Sequence, residues 1–300
     1  MTKVLISIVG PTAIGKTSLS LKLAAYFNAE IISADSRQFY KEMHIGTAVP
    51  TPKELQTIKH HFIQHRSIYD NYSVGDFERD AIKKITELHK THKYVIMVGG
   101  SGLYVKAITS GLDYFPEVNP KVRADLNSIL KTKGLKVLQE RLRVLDPLAY
   151  KTIAIDNPQR VVRALEICEG THMPYSSYLT NTAKARNFKT IAIGLNAERP
   201  LIYDKINKRV DIMIANGLFD EAKQLFPHKN LNALNTVGYK ELFAHFEGKS
   251  TLDFAISEIK KNTRRFAKRQ LTWFRKDKSI KWFNHKTHVK EILAFIENEV

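Results

Sequence analysis

Three hundred residues, 43% hydrophobic and 10% aromatic, can bury a substantial core, which excludes disorder as a whole-chain state. The formal charge of +17, from 47 basic against 30 acidic residues, fits either plain solubility or a polyanionic partner. One cysteine, Cys168, excludes an internal disulfide and a cysteine-cluster zinc site, and its helical run predicts a small buried apolar residue. No apolar run approaches the ~20 residues of a membrane span. Val4 to Val9 is too short for the apolar stretch of a signal peptide, so a soluble cytoplasmic protein without membrane association is expected.

Val4 to Val9 reads as a buried parallel strand and Ser18 to Ala25 as the opening of an amphipathic helix. Between them stand Gly10, Pro11, Thr12, Ala13, Ile14, Gly15, Lys16 and Thr17, in the spacing G-x-x-x-x-G-K-[ST] of a phosphate-binding loop. Such a loop wraps phosphate oxygens with backbone N–H groups, while Lys16 reaches a terminal phosphate and the Thr17 hydroxyl meets a magnesium ion. By default its ligand would be ATP.

Glu30 to Gln38 is a short strand ending in polar residues, and ligands gather at the carboxyl ends of such strands. Asp35 is therefore a candidate to face the phosphate loop, and equally a solvated loop residue or helix cap. His61 and His65 share helical i,i+4 spacing without an acidic neighbour in sequence, which makes a metal site the weaker reading. Asp76 to Lys90 predicts a helix and Tyr94 to Val98 a third core strand. The glycines of Gly99-Gly100-Ser101-Gly102 signal either close approach to a ligand or a tight packing turn.

From Pro116 to about residue 184 the pattern is helical and basic, with helix starts at Asn119-Pro120 and Asp146-Pro147. Strand character returns at Lys189 to Leu195, followed by helices over Pro200 to Asn216 and Leu218 to Leu225. Along Ile256 to Lys276 eight cations, Lys260, Lys261, Arg264, Arg265, Lys268, Arg269, Arg275 and Lys276, share one helical face. Their mutual repulsion calls for an anionic partner, most economically nucleic-acid phosphate. The expected fold is α/β, a parallel sheet containing the phosphate loop and flanked by helices. Its core spans residues 1–115 and 185–300, with a helical insertion over 116–184.

Together GPTAIGKT (10–17), ISADSRQFY (32–40), GTAVPT (46–51), VGGSGLY (98–104), NPQRVVRALE (157–166), KRVDIMIANGLFDEA (208–222), NTVGYKEL (235–242) and RRFAKRQLTWFRK (264–276) resemble the bacterial-type tRNA dimethylallyltransferase family end to end. The resemblance implies transfer of a dimethylallyl group from dimethylallyl diphosphate to the N6 amine of the adenosine beside the anticodon, with release of pyrophosphate. It makes residues 10–17 a diphosphate site, Asp35 a general base, and Lys16, Thr17, Ser101 and Arg209 parts of the active site, with magnesium at Thr17. It assigns tRNA contact to Asp35, Ser36, Arg37 and Gln38, to Ser101 and Arg123, and to Gln159, Arg160, Val161, Val162 and Arg163, the insertion being a tRNA-contacting domain. A monomer is expected.

Ile14, Phe39 and Ser101 depart from the family's usual serine, small aliphatic residue and threonine, and the aspartate often found after the paired histidines is missing. Two other readings remain open at the level of the sequence. A small-molecule kinase would use the same loop on ATP, although Tyr94 to Val98 ends without the aspartate that would hold magnesium. A non-catalytic RNA-binding protein would not need the intact Lys16, Thr17 and Asp35.

Overall fold

The computed structural model describes residues 2–180, 182 and 184–300. Two compact units emerge, Gly111–Lys184 on its own and the flanking segments 1–110 and 185–300 together. In the larger unit, β1 (Val4–Val9) leads into α1 (Lys16–Phe27), β2 (Ile31–Ser33), α2 (Pro52–Thr57) and the two-residue β3 (His60–His61). Then come α3 (Val74–Leu88), β4 (Tyr94–Val98) and α4 (Gly102–Thr109). The smaller unit contributes α5 (Pro120–Lys133), α6 (Leu135–Leu145), α7 (Pro147–Thr152) and α8 (Pro158–Thr171). The larger unit resumes with β5 (Lys189–Asn196), α9 (Arg199–Ala215), α10 (Leu218–Leu225) and α11 (Tyr239–Phe246). It closes with α12 (Leu252–Phe274), β6 (Lys281–Asn284) and α13 (Val289–Asn298).

The strands form one parallel sheet in the order β3-β2-β4-β1-β5-β6. The apolar run of β1 explains its central place. Val4, Ile6 and Ile8 join the core beneath α1, α9 and α13, whereas Leu5 and Val9 join the core beneath α3 and α4. With helices on both faces, a strand here reads as a near-continuous apolar run, broken in β1 only by the small, buried Ser7. Each fully buried Val, Leu or Ile contributes about 1.5–3 kcal/mol. A third cluster, around Val210, Leu218, Tyr239, Leu242 and Ile259, packs α9, α10, α11 and the first half of α12 together.

Local signals set the helix starts. Ser73 and Asp76 form a reciprocal capping box ahead of α3, and Asn119 and Asp146 cap α5 and α7 with proline at the first turn. The smaller unit packs around Leu126, Leu138, Leu142, Leu165 and the buried Cys168. Tyr94 to Val98, expected as the third strand, is the fourth because His60 and His61 pair with Ile31 and Ile32 at the sheet edge. Ile14 and Phe39 serve the core, 2% and 1% exposed, and Phe39 stacks on Phe77 at 5.2 Å between centroids.

The glycine turn after β4 is tightly packed, and its first glycine also lines a cleft. A Cβ on Gly99 would strike the Ala34 backbone, on Gly100 the Gln270 side chain, and on Gly102 the Trp273 ring. A backbone obstacle cannot rotate away. Gly99→Ala is therefore expected to cost about 2 kcal/mol, within the usual range for overpacking, read as a lowered urea midpoint. An unchanged midpoint would contradict the close approach of β2 to this turn.

Candidate active site

The phosphate loop joins β1 to α1 in a backbone that only part of its sequence makes easy. Gly10 has φ +141°, and a Cβ there would lie 2.6 Å from the Leu195 carbonyl oxygen of β5. Ala13, which has no glycine's freedom, sits at φ +64°. A left-handed alanine costs about 1 kcal/mol or more and persists only where its surroundings hold it. The loop ends at the start of α1, whose free N–H groups favour an anion.

This loop forms one wall of a cleft of about 520 Å³ at the carboxyl ends of β1, β2 and β4, a size suited to a small-molecule ligand. Lys16, Thr17, Ser33, Asp35, Val98 and Arg209 all line it. The Lys16 ammonium donates to the carbonyl oxygens of Gly10 at 3.1 Å and Pro11 at 2.8 Å. Burial lowers its pKa to about 8, with Arg209 pushing the same way and Asp35 opposing. Burial also lowers the Arg209 pKa, again opposed by Asp35. Two desolvated cations and one carboxylate thus share the field of a single cleft.

Asp35 follows β2 in a turn where its Oδ1 accepts the Arg37 N–H at 3.0 Å. Ser101, at the N-cap of α4, stands behind that turn and not in the cleft lining. Its Oγ accepts the Ser36 N–H at 3.1 Å and lies 3.2 Å from the Ser36 hydroxyl. Arg37 donates to the carbonyls of Asn232, Ala233 and Asn235. Gln38 Nε2 donates to the Ala48 carbonyl at 2.9 Å, while its Oε1 accepts from Ser33 at 3.1 Å. All four residues from 35 to 38 therefore have side chains engaged by the protein itself.

In the smaller unit Arg123 and Arg163 converge on Glu166, at 3.0 and 2.8 Å, and Arg163 lies 5.3 Å from the Phe115 ring. Gln159 and Arg160 are exposed in the first turn of α8. Val161 and Val162 correct the expectation that all five residues face RNA. They are 0% and 2% exposed, packed in that unit's core, and so anchor the helix that presents their neighbours. A concavity of about 620 Å³ near Cys168 in the same unit has one ion pair, Arg141 to Glu169 at 2.9 Å, and lacks the converging charges of the cleft.

Two expectations about charge change. His61 does have an acidic partner, Glu30 at 2.5 Å, which is 31 residues away in sequence. This is a hydrogen bond at the sheet edge, and no group of three or more metal-ligating side chains occurs among the described residues. Of the eight cations, six on α12 and Arg275 and Lys276 just past its end, not all are free. Lys260 pairs with Asp211 at 2.5 Å, Lys261 with Glu258 at 2.7 Å, and Arg264 donates to Asn207 at 2.7 Å. Arg265, Lys268, Arg269, Arg275 and Lys276 remain exposed without a carboxylate partner among the described residues.

Sequence patterns concealed two connecting residues. Glu221 of α10 accepts the N–H groups of His44, Ile45 and Gly46 at 2.7–2.9 Å and the Tyr239 hydroxyl at 2.7 Å. It thereby joins the GTAVPT and NTVGYKEL segments. Gln270 of α12, 6% exposed, accepts the Thr12 N–H at 2.9 Å and donates to the Gly100 carbonyl at 2.9 Å. A lone glutamine on the same helical face as Ala267 and Phe274 was the available signal.

Comparison with known proteins gives the family. The model of the family described as IPP transferase matches residues 38–277. The chain belongs to the IPP transferase family. It is 63% identical to the tRNA dimethylallyltransferase of Christiangramia forsetii, over 100% of this chain and 99% of the relative. It is 55% identical to that of Flavobacterium johnsoniae, over 98% and 97%. These alignments take in the phosphate loop and Asp35, which precede the segment matched by the family model. Among solved structures, the tRNA isopentenylpyrophosphate transferase of Bacillus halodurans is 38% identical with a TM-score of 0.74, covering 99% of this chain and 96% of its own. A eukaryotic dimethylallyltransferase acting on tRNA is 26% identical, with a TM-score of 0.81 over 99% of this chain and 80% of its own.

The lowered Lys16 pKa has a testable sign. A diphosphate beside the ammonium favours its charged form. Below pH 8 Lys16 is protonated with or without ligand; above pH 8 binding must take up a proton, so affinity falls by up to tenfold per pH unit. Calorimetry with dimethylallyl diphosphate at pH 8.5, in buffers of different ionisation enthalpy, should show uptake of about three-quarters of a proton per site. Lys16→Arg, charged throughout this range, should abolish it; uptake unchanged in that variant would exclude Lys16 as its source.

Proposed function

We infer that this chain transfers the dimethylallyl group of dimethylallyl diphosphate to the exocyclic N6 amine of the adenosine adjacent to the anticodon in tRNA, releasing pyrophosphate. The carrying observation is the convergence of Lys16, Arg209 and Asp35 on one cleft at the phosphate loop. The amine attacks the allylic carbon, the carbon–oxygen bond breaks, and its electron pair departs with the diphosphate. Negative charge thus grows on the leaving group. Lys16, Arg209 and the N–H groups of the loop meet it in a desolvated setting, where such charges act strongly. Asp35 orients the amine and accepts its proton.

Thr17 lines the cleft with its hydroxyl uncommitted, only its carbonyl accepting a bond from Ser20. With no carboxylate cluster among the described residues to hold it alone, a magnesium ion fits here as a partner of the diphosphate, with Thr17 giving one oxygen. Such an ion would supply neutralisation of charge on the leaving group.

On this reading the target base must leave its stack to reach Asp35, at a cost of about a few kcal/mol. The exposed cations of α12, with Gln159, Arg160, Arg163 and Arg123 of the smaller unit, provide phosphate and base contacts that offset this. Ser36, Arg37, Gln38 and Ser101 hold the acceptor side of the cleft. We take the working protein to be a cytoplasmic monomer.

The assay combines the protein, magnesium, an anticodon stem-loop with adenosine beside the anticodon, and either labelled dimethylallyl diphosphate or labelled ATP. Label is expected in RNA from the prenyl donor alone. Phosphate transfer from ATP to a small acceptor would replace this reading with a kinase, and RNA binding without turnover would replace it with a binding protein. Asp35→Asn should lower kcat by 10²–10⁴-fold, the usual span of general-base catalysis, while tRNA affinity stays within about threefold. Equal losses in both would remove Asp35 as the base. Arg160→Ala should weaken binding of different tRNAs uniformly and reduce the salt slope by about 1; an unchanged slope would take Arg160 out of the RNA interface.

A further inference from the structure

The phosphate loop and the turn carrying Asp35 belong to different βα connections, and no direct hydrogen bond between them accounts for their alignment. A third element spans them. Gln270 projects from α12 with its amide almost wholly enclosed. The Thr12 N–H can only donate and the Gly100 carbonyl can only accept, so the two partners fix which end of the amide faces which loop. From Gly100 the connection continues one residue to Ser101, whose hydroxyl accepts the Ser36 N–H next to Asp35. On the other side Thr12 precedes Ala13, the residue in the costly left-handed conformation. One side chain thus restrains the strained part of the anion cradle and the support of the general base.

We propose that Gln270 is a positioning residue for prenyl transfer, setting the phosphate loop in register with the Asp35 turn by bonding to both. The proposal rests on the reading of the cleft as a prenyl-transfer site. The two ends of the amide have separable duties. Oε1 holds the Thr12 N–H and with it the loop that receives diphosphate. Nε2 holds the Gly100 carbonyl and, through Ser101 and Ser36, the acceptor side. A carboxylate at this position keeps the first bond and loses the second, and an isosteric hydrocarbon loses both.

Three variants make this testable in the full chain. Gln270→Glu should retain pyrophosphate affinity within about threefold while kcat for prenyl transfer drops ten- to a hundredfold. Gln270→Leu should lose at least tenfold in both. Gly100→Ala pushes a methyl group against Nε2 of the Gln270 amide. It should reproduce the Gln270→Glu split, and the double variant Gly100→Ala/Gln270→Glu should be no worse than either alone, because both break the same bond.

Pyrophosphate affinity is measured by calorimetry and tRNA affinity by filter binding, with thermal unfolding as a check on folding. tRNA affinity within threefold in folded variants separates a positioning role from general damage. Equal changes in pyrophosphate affinity and kcat for Gln270→Glu, or additive losses in the double variant, would overturn the proposal. Failure of the wild type to prenylate RNA would remove the proposed function instead, and the calorimetric difference between Gln270→Glu and Gln270→Leu would still judge the grip on the loop.

Discussion

A buried ammonium next to a carboxylate is the constraint on which the rest of the molecule depends. Lys16 loses hydration, and two loop carbonyls and Asp35 restore only part of what water supplied, so its pKa settles near 8. An ammonium so placed gains more from an incoming phosphate than a fully hydrated one would. Keeping it there requires a rigid floor. The sheet provides that floor because β1 is buried at every position, apolar at all but Ser7, and covered on both faces, so the strand ends cannot drift apart without opening a close-packed core.

Much of this floor can be read from residues close together in the chain. The strand–loop–helix spacing, the cap residues Ser73, Asn119 and Asp146, and the return to strand at Lys189 are all local signals, and the elements form where they point. What stays hidden is pairing over distance. Glu30 answers His61 only because β2 and β3 are neighbours in the sheet. Asp211 neutralises Lys260 only because α9 packs beside α12, which removes one cation from the apparent case for a polyanion along that helix. Helical periodicity gives a face, and the identity of what meets that face lies elsewhere in the chain. Gln270 is the extreme instance, with its Thr12 partner 258 residues away.

The α8 segment shows how one motif can divide its work. Val161 and Val162 turn inward and fix the helix, while Gln159 and Arg160 remain outside. Glu166 draws Arg123 and Arg163 to a common point, and Phe115 lies against the latter. A guanidinium held in this way has lost much of its side-chain freedom in advance, so less is forfeited when it engages a partner. Preorganisation is thus built into both units, by a carboxylate in the smaller one and by an amide in the larger.

The clasp formed by Gln270 also has a temporal side. β1 is made first, yet its neighbour β5 begins at Lys189 and the residue that closes the phosphate loop is the two hundred and seventieth. At a synthesis rate of roughly 5–20 residues per second, the loop exists for tens of seconds before its clasp arrives. A nascent or truncated chain therefore carries the complete phosphate-binding motif without the restraint that shapes it. That restraint arrives only with residue 270, when most of the basic helix has also been made.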